Sequence, residues 1–452
     1  PRSLSDLKGN RLQIRLDGPF FAASLGNSST IALRNRQKLS SPSRIFASIL
    51  QVRQAPRTFL PRLCAGLCFL GLLSSCSQAP SPALTQDAYV WQRHWTPAVS
   101  DAVRSRELPL DGLRVLALQW IGERVVQTQP DLPTLAARGL PLRLVLRIEG
   151  SRPRLAPATV ATAIRTVLVE WRAQGLSVAG IEIDHDCASA ALEDYADWLS
   201  RLKAELPNGI ALSVTALPSW LDNPDGLRAL RQVADESVLQ VHAVEADQAH
   251  LFDPNSALHW IAGWQQHGDK TFRVALPAYR LRVRSGADGR PLAVDGEGLG
   301  ELSGSAATER YAIPAEVARV VHLIGHDAPS AMRGWVWFRL PVASDRLGWA
   351  PATLAHAMRG EMPNAQIELQ AIQRTEGLFD LFLHNADRID GLSPTTISLP
   401  TDCGLVEGHA DFSATPFLPQ LSAPRPQWLA PDQRVAIGFA RCSRPLPERS
   451  GV

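Results

Sequence analysis

Short apolar runs that suit β-strands alternate with helical patterns along most of this chain of 452 residues. Short apolar runs favour buried strands, whereas apolar residues spaced by three and four positions favour amphipathic helices. Eight strand–helix units over about 270 residues predict an α/β fold, a (β/α)8 TIM-type barrel. The alternative is a doubly wound open sheet, but no glycine-rich phosphate loop follows the first run. The predicted strands are Tyr89–Trp95, Leu113–Trp120, Leu142–Gly150, Val178–Asp186, Ile210–Leu221, Val238–Glu245, Thr271–Tyr279 and Met332–Pro341.

Two further stretches do not follow this alternation. Residues 280–310 are rich in glycine and charge, and Asp288-Gly289 suits a hairpin turn, so we interpret them as a lid or as a surface excursion. From about Gly360 the helical pattern stops, and four short runs typical of strands follow. We therefore predict a barrel over residues 88–359 and a small all-β C-terminal domain over residues 360–452. For the small domain we favour a packing role over sugar binding.

The N-terminal part has the pattern of an export signal. Three arginines precede the apolar run Leu63–Leu73, which is shorter than the roughly 20 residues that a spanning helix needs. The run ends in Leu73-Ser74-Ser75-Cys76, which resembles a bacterial lipobox. This resemblance implies a lipid on Cys76, and Ser77 after it implies retention at the outer membrane.

We therefore assign residues 52–75 to a lipoprotein signal peptide, residues 76–87 to a tether, and residues 1–51 to a non-native or disordered extension. The expected location is the bacterial periplasm, with an anchor in the outer membrane. Residues 1–75 hold 11 of the 46 basic and 2 of the 44 acidic residues, which leaves 35 basic and 42 acidic residues beyond them, a net charge of −7. This balance gives no support for nucleic-acid binding.

Three cysteines lie beyond Cys76. In an oxidising periplasm, Cys403 and Cys442 could pair across the C-terminal domain, which leaves Cys187 outside the pair. No CxxC motif or His/Cys cluster indicates a metal site, and we expect no cofactor. A metal site built on Asp184 and its neighbours is disfavoured, because His185 should point to the opposite face of its strand.

The fourth predicted strand carries a carboxylate at every second position, Glu182, Asp184 and Asp186. Because side chains alternate across a strand, the three acids share one face. That face is unstable in a dry core unless it meets partners, water or a substrate. Chemistry in a barrel lies at the carboxyl ends of the strands, so we predict that Asp184 and Asp186 are catalytic and that Glu182 lies deeper as support.

The last inward positions of the other strands supply side chains that suit a sugar. Aromatic rings stack on the apolar faces of pyranoses, and carboxylates and arginines bind hydroxyl groups. Glu149 and Glu245 are the candidates for a second carboxylate. The predicted substrate-binding residues are Trp91, Trp120, Arg147, Thr215, Trp220, His242, Tyr279, Trp337 and Arg339.

The acidic strand resembles the strand-four motif of family 18 (chitinase-like) glycoside hydrolases, Asp-Gly-x-Asp-x-Asp-x-Glu. It departs from that motif at Ala179, where the family has Asp, and at Asp186, where the family has Glu. The resemblance implies that Asp186 protonates the leaving oxygen and that Asp184 orients the reacting group.

A longer stretch, roughly Tyr89 to Pro341, resembles an uncharacterised bacterial family of barrel lipoproteins known only as a domain of unknown function. The resemblance implies a fold and supplies no reaction. The matching segments are Val90-Trp91-Gln92-Arg93-His94-Trp95, Ile183-Asp184-His185-Asp186 and Ser213-Val214-Thr215-Ala216-Leu217-Pro218-Ser219-Trp220.

The same residues also have a structural interpretation. Acids at strand ends often pair with interior arginines, and Arg147 and Arg339 could neutralise Asp184 and Glu182 in a purely structural network. His242 and the tryptophans could be ordinary core residues. Two functions therefore remain open. The first is a lipid-anchored glycosidase-like enzyme that acts on an oligo- or polysaccharide by carboxylate general acid catalysis. The second is a non-catalytic envelope lipoprotein that binds a glycan or a protein partner.

Overall fold

The structure is a computed structural model that describes residues 83–150, 155–242, 250–286, 291–296 and 307–452. The predicted signal peptide, Cys76 and most of the tether lie outside these residues, as do Glu245 and the Asp288-Gly289 turn. None of the helices in the described ranges has the length and apolar character that a membrane span requires.

Strands alternate with helices through the first part of the chain, and two short 3₁₀ helices cover Ser189–Ala191 and Pro218–Asp222. In chain order the strands and α-helices up to residue 358 are β1 (Thr85–Val90), α1 (Pro97–Arg104), β2 (Gly112–Ile121), β3 (Arg124–Gln127), α2 (Leu132–Arg138), β4 (Leu142–Ile148), α3 (Pro157–Ala173), β5 (Val178–His185), α4 (Leu192–Glu205), β6 (Ala211–Ala216), α5 (Pro224–Val233), β7 (Glu236–Gln240), α6 (Pro254–Gln266), β8 (Phe272–Pro277), β9 (Arg280–Ser285), β10 (Pro291–Asp295), β11 (Thr308–Tyr311), α7 (Pro314–His326), β12 (Met332–Phe338) and α8 (Pro351–Met358).

Eight of these strands form one closed parallel barrel. Their order is β1-β12-β8-β7-β6-β5-β4-β2, and β2 pairs with β1 to close the sheet. Strands of a parallel barrel are covered by helices outside and packed side chains inside, which explains their nearly continuous apolar runs. The prediction of a (β/α)8 barrel is confirmed.

Strand ends differ from the predictions where the barrel interior is polar or the backbone lacks a donor. β1 begins at Thr85, upstream of Tyr89, and includes Asp87, which binds Arg114 inside the barrel. A charged inward residue therefore interrupts the apolar pattern that marks the strand. β6 ends at Ala216, because Pro218 cannot donate to the strand ladder and begins a 3₁₀ helix instead.

Two additions extend from the barrel strands. β3 pairs antiparallel with the end of β2. Between β8 and α7, the predicted excursion contains a three-stranded antiparallel sheet in the order β10-β9-β11, which we call the insertion sheet. β9 and β10 form the predicted hairpin, although its turn lies outside the described residues.

Antiparallel sheets follow the barrel, as the sequence predicted. The sheet orders are β17-β21-β14-β13-β22, β15-β20 and β16-β19-β18. A disulfide joins Cys403 of β17 to Cys442 of β21, which are paired residues in that ladder. The strands are β13 (Ile367–Thr375), β14 (Leu378–Asn385), β15 (Gly391–Leu392), β16 (Thr396–Ser398), β17 (Cys403–Gly408), β18 (Ser413–Ala414), β19 (Gln420–Ser422), β20 (Trp428–Leu429), β21 (Arg434–Cys442) and β22 (Arg449–Gly451).

The C-terminal domain has its own apolar core but also packs on the barrel. The Trp428 ring belongs to the apolar cluster of the barrel, with its centroid 5.8 Å from that of Tyr311 and 5.0 Å from the Arg280 guanidinium. The Asp390 carboxylate accepts hydrogen bonds from the Ala350 amide at 2.6 Å and the Thr353 hydroxyl at 2.7 Å, at the start of α8. These contacts fix the domain against α8 and the insertion sheet.

Candidate active site

The barrel interior holds a balanced group of charged side chains near the amino ends of the strands, which we call the lower set. Its arginines and acids are equal in number. Arg114 donates to Asp87 at 3.0 and 3.1 Å and to Glu236 at 2.9 Å. Arg273 donates to Glu236 at 3.0 Å, and an Arg143 nitrogen lies 3.3 Å from the same carboxylate. The lower set consists of Asp87, Arg114, Arg143, Glu182, Glu236 and Arg273.

Glu182 belongs to this lower set and is fully buried. It accepts hydrogen bonds from the Tyr89 hydroxyl at 2.5 Å and the Ser213 hydroxyl at 3.1 Å, and it forms an ion pair with Arg114. The neutralising arginine is therefore Arg114, whereas the sequence interpretation named Arg339. With both oxygens engaged, Glu182 has the supporting geometry that the sequence suggested.

The arginines of the lower set hold Glu236 in its charged state. Burial opposes ionisation of Glu236, but the neighbouring arginines lower its pKa to about 2. An acid held ionised at the base of the barrel cannot donate a proton near neutral pH. Glu236 is therefore a structural partner of these arginines rather than a general acid.

Arg147, Asp184 and Asp186 form a second group at the carboxyl ends of β4 and β5, which we call the upper set. Arg147 donates to Asp184 at 3.0 Å and to Asp186 at 2.7 Å. The Thr215 hydroxyl donates to the second oxygen of Asp184 at 2.7 Å. All three charged residues are buried, with exposed fractions of 5%, 3% and 4%. The structure thus brings together four residues that the sequence singled out.

The two aspartates differ in how their oxygens are used. Both oxygens of Asp184 accept hydrogen bonds, and burial raises its pKa to about 6, with Arg147 acting in the opposite direction. Asp186 has one oxygen on Arg147, whereas its buried Oδ1 accepts no hydrogen bond from any described residue. A buried oxygen without a donor is costly, so Oδ1 is the atom of this set that is suited to a ligand.

Aromatic rings line the barrel interior beside the upper set, and we call them the aromatic wall. The ring centroid of Trp91 lies 5.7 Å from that of Tyr89 and 5.2 Å from that of Phe338. The centroids of Tyr279 and His242 lie 5.3 and 6.2 Å from that of Phe338. Burial lowers the pKa of His242 to about 4, so its imidazole is neutral at pH 7. The predicted residues Trp91, His242 and Tyr279 therefore lie together.

A small cavity separates Asp184 from this wall. Its volume of about 10 Å³ is near the minimum that holds one water molecule. The hydroxyl of Thr215 and the side chain of Gln240 also line it. Nowhere in the described ranges do three or more His, Cys, Asp or Glu residues form a group that could hold a metal ion.

Two predicted substrate-binding tryptophans lie instead between the barrel and its helices. The Trp337 indole donates to the Gln86 side chain at 2.6 Å, and Gln86 donates to the Met358 carbonyl of α8. The Trp220 indole donates to the Cys187 carbonyl at 2.8 Å and is fully buried. We therefore reassign Trp220 and Trp337 to packing outside the barrel.

Trp120 and Arg339 also differ from their predicted places. Trp120 pairs in register with Ile148, and Ile148 pairs with His185, so these three residues form one row across the sheet. The residues before Ile148 and His185 in their strands, Arg147 and Asp184, point into the barrel interior. Because side chains alternate along a strand, the row of Trp120 points away from the interior.

Arg339 forms an ion pair with Asp345 at 2.6 Å, and its guanidinium lies 5.9 Å from the centroid of the Tyr279 ring in the aromatic wall. Among the described residues it pairs with no acid of the upper set. Trp120 therefore lies outside the site, and Arg339 borders its aromatic wall.

Of the two candidates for a second catalytic carboxylate, Glu149 and Glu245, only Glu149 lies within the described residues. Glu149 directly follows β4 and accepts a hydrogen bond from Gln119 at 2.9 Å. It has no recorded contact with the upper set in the described part of the chain. Glu245 lies outside the described residues.

Phe338 is an interior residue that the sequence pattern did not predict. The predicted inward residues of the strand Met332–Pro341 were Trp337 and Arg339, whereas Val336 and Phe338 of β12 pair in register with the inward row of β8. Gly334 lies on the same inward row, where an added Cβ would be 2.2 Å from the Thr85 carbonyl oxygen. Because side chains alternate along a strand, this glycine at position 334 is the signal that could have shown that Val336 and Phe338 face the interior.

The fold and this charged interior define a closed TIM-type barrel with a buried aspartate–arginine site at its carboxyl end. Residues 138–343 match the model of the family described as "Domain of unknown function (DUF3142)". The predicted resemblance to a family of unknown function is thus confirmed over that range. No curated protein matches the chain.

Solved structures similar to this chain are chitinase-like barrels of low identity. The spore cortex-lytic enzyme SleL of Bacillus megaterium QM B1551 is 14% identical, with 62% of this chain and 76% of that chain covered and a TM-score of 0.44. A chitinase from Bacteroides thetaiotaomicron is 9% identical, with 62% and 97% covered and a TM-score of 0.44. Human YKL-39, a pseudo-chitinase with retained chitooligosaccharide binding properties, is 10% identical, with 57% and 92% covered and a TM-score of 0.40. Likeness at this level carries no argument about activity.

Proposed function

We propose that this chain is a glycoside-hydrolase-like enzyme that acts on an oligo- or polysaccharide, with Asp186 as the proton donor to the glycosidic oxygen. The observation that carries the proposal is the unequal use of the two Asp186 oxygens. Oδ2 is held by Arg147 at 2.7 Å, while the buried Oδ1 accepts no hydrogen bond from the described residues. An acid fixed on one side and open on the other is oriented for proton transfer.

Asp184 supports this role as the negative charge of the pair. Burial raises its pKa to about 6, so it is mostly ionised at pH 7, where its carboxylate stabilises positive charge that develops on the sugar ring. Thr215 and Arg147 hold Asp184 in place on both oxygens. Trp91 lines the same cavity as Asp184, and Tyr279 packs on Phe338 of that lining, which gives the site the aromatic character of sugar sites.

The test is hydrolysis of an oligosaccharide panel by the chain and its Asp186→Asn variant. We expect the variant to lose nearly all turnover, at least about 100-fold, because general acid catalysis contributes roughly that much. Binding of the substrate should remain detectable. Equal turnover by the two proteins would contradict the assignment of Asp186.

A non-catalytic glycan-binding role is the second candidate, and one observation favours it. Arg147 forms ion pairs with both aspartates, and a paired cation stabilises their ionised forms. Such a pair is suited to binding hydroxyl groups without proton transfer. In this case, the same panel would show saturable binding and no turnover by either protein.

We also propose that the chain is a periplasmic lipoprotein anchored in the outer membrane through Cys76. Besides the signal pattern, the Cys403–Cys442 disulfide supports an oxidising compartment. In a bacterial host, the wild-type chain should incorporate a labelled fatty acid and fractionate with outer membranes. Cys76→Ser should abolish labelling, whereas Cys64→Ser, in the signal, should leave it intact. Labelling of the Cys76→Ser chain would contradict the anchor.

A further inference from the structure

Two histidines lie one turn apart near the end of α7. His322 and His326 are four residues apart, and side chains at that spacing lie on the same face of a helix. Both residues are exposed, and their ring centroids are 4.8 Å apart. Within the described ranges, neither imidazole takes part in a hydrogen bond or an ion pair, whereas the His356 imidazole lies 2.8 Å from the Glu361 carboxylate. The ring nitrogens of the pair are therefore accessible to a ligand from solvent.

The distance between these two rings matches the distance that one shared metal ion requires. An imidazole nitrogen lies about 2.0–2.1 Å from a bound Zn²⁺, which places the ring centroid roughly 3.2 Å from the ion. Two imidazoles that bind one ion at an angle of about 90–110° therefore have centroids about 4.5–5.2 Å apart. The observed 4.8 Å lies within that range. Because exposed side chains change rotamer rapidly, both rings can turn a nitrogen towards the ion while the helix keeps its backbone.

We propose that His322 and His326 bind one divalent transition-metal ion, Cu²⁺, Ni²⁺ or Zn²⁺, at the surface of α7. Imidazole suits these ions, whereas Mg²⁺ and Ca²⁺ prefer oxygen ligands. Cu²⁺ binds most tightly, as the usual order of affinities for nitrogen ligands requires. The described ranges contain no group of three or more His, Cys, Asp or Glu residues that could hold an ion, so water molecules complete the coordination.

This metal site is separate from the candidate active site. α7 ends at His326 and β12 begins at Met332, so the histidine pair lies beside the amino ends of the barrel strands. The upper set lies at their carboxyl ends, next to the end of β5. The ion bridges two adjacent turns of α7 and binds the folded helix more tightly than the unfolded chain, so it stabilises the fold without entering the sugar site.

The test is isothermal titration calorimetry of the full chain with NiCl₂ at about pH 7.5, repeated for His322→Ala, His326→Ala and the double variant. Both substitutions are at exposed positions of a helix, where alanine is favourable, so the variants should fold. We expect one Ni²⁺ to bind the wild type at least about tenfold more tightly than either single variant, because one imidazole cannot chelate. For the same reason, the double variant should bind no more weakly than the single variants. Heat from the other histidines and the cysteines is common to all four proteins.

His259→Ala is the matched control, since His259 is an exposed histidine of α6 with no histidine three or four residues away. The control should keep the tight Ni²⁺ site, and MgCl₂ should not distinguish the wild type from any variant. NiCl₂ should also raise the unfolding temperature of the wild type and of the control more than that of either single variant. Equal Ni²⁺ affinity of the wild type and a single variant would overturn the inference. So would a further loss of affinity in the double variant, because the two histidines would then bind independently.

Discussion

His185 lies between the two catalytic candidates in the chain but on the opposite face of β5. Its imidazole is fully buried, with Nδ1 3.1 Å from the Ile148 carbonyl and its ring 5.1 Å from that of Tyr195 on α4. Burial lowers its pKa to about 4. The same strand therefore carries a neutral packing residue on one face and the charged site on the other.

This burial makes stability depend on pH. The unfolded chain protonates His185 near its ordinary pKa of about 6.5, whereas the folded chain does so only near 4, so the stabilisation is present above about pH 6.5 and is lost as the pH falls towards 4. The loss amounts to about 3 kcal/mol. In urea unfolding at about pH 7 and about pH 4, we expect His185→Gln to lose less stability than the wild type by that amount.

The comparison between two proteins is needed because Asp184 acts in the opposite sense. Its folded pKa is raised to about 6, so its contribution is present below about pH 4 and is lost as the pH rises through about 6. That contribution is common to the wild type and to His185→Gln. An identical change with pH in both proteins would show that His185 titrates normally in the folded chain.

At the scale of strands, the pattern of apolar and polar residues predicted where strands exist better than it predicted which of their side chains face the barrel interior. Glu182 and Asp184 of β5, together with Asp186 directly after it, showed which face of the strand they share, because charged and apolar residues alternate there. β12 has Trp335, Val336, Trp337 and Phe338 in succession, so both of its faces are apolar and the apolar pattern alone does not show which one is inside. Besides Gly334, only the register with β8 and β1 decides it.

The sequence pattern also predicted only some of the side chains that pair with the buried acids. Arg147 was found because it occupies the end of the strand beside β5. Arg114 and Tyr89 were missed as partners of Glu182, because they reach it across the barrel interior from strands that do not pair with β5. Contacts across a closed barrel interior depend on side-chain length and barrel geometry, and the periodicity of apolar residues in the sequence does not determine either of them. The sequence thus predicted the strand that carries the site and part of its lining.

At the scale of the whole molecule, one buried carboxylate links the C-terminal domain to the barrel. Asp390 accepts from the Ala350 amide and the Thr353 hydroxyl at the start of α8, and from the Trp428 indole at 3.2 Å. Trp428 in turn packs on Arg280 and Tyr311 of the insertion sheet. Asp390 and Trp428 therefore join the domain to the barrel, whereas the domain's own apolar core and the Cys403–Cys442 disulfide lie within the domain.

Asp390→Ala should separate the unfolding of the two parts. The change leaves buried donors on Thr353 and Trp428 unpaired, at a cost of roughly 3 kcal/mol for the interface. By differential scanning calorimetry, we expect a new transition of the C-terminal domain at lower temperature, with the barrel transition shifted less. Asp411→Ala, an exposed aspartate of the same domain, is the control and should unfold like the wild type. If Asp390→Ala gives the same unfolding profile as that control, the domain is held to the barrel by apolar contacts such as those of Trp428 and not by this carboxylate.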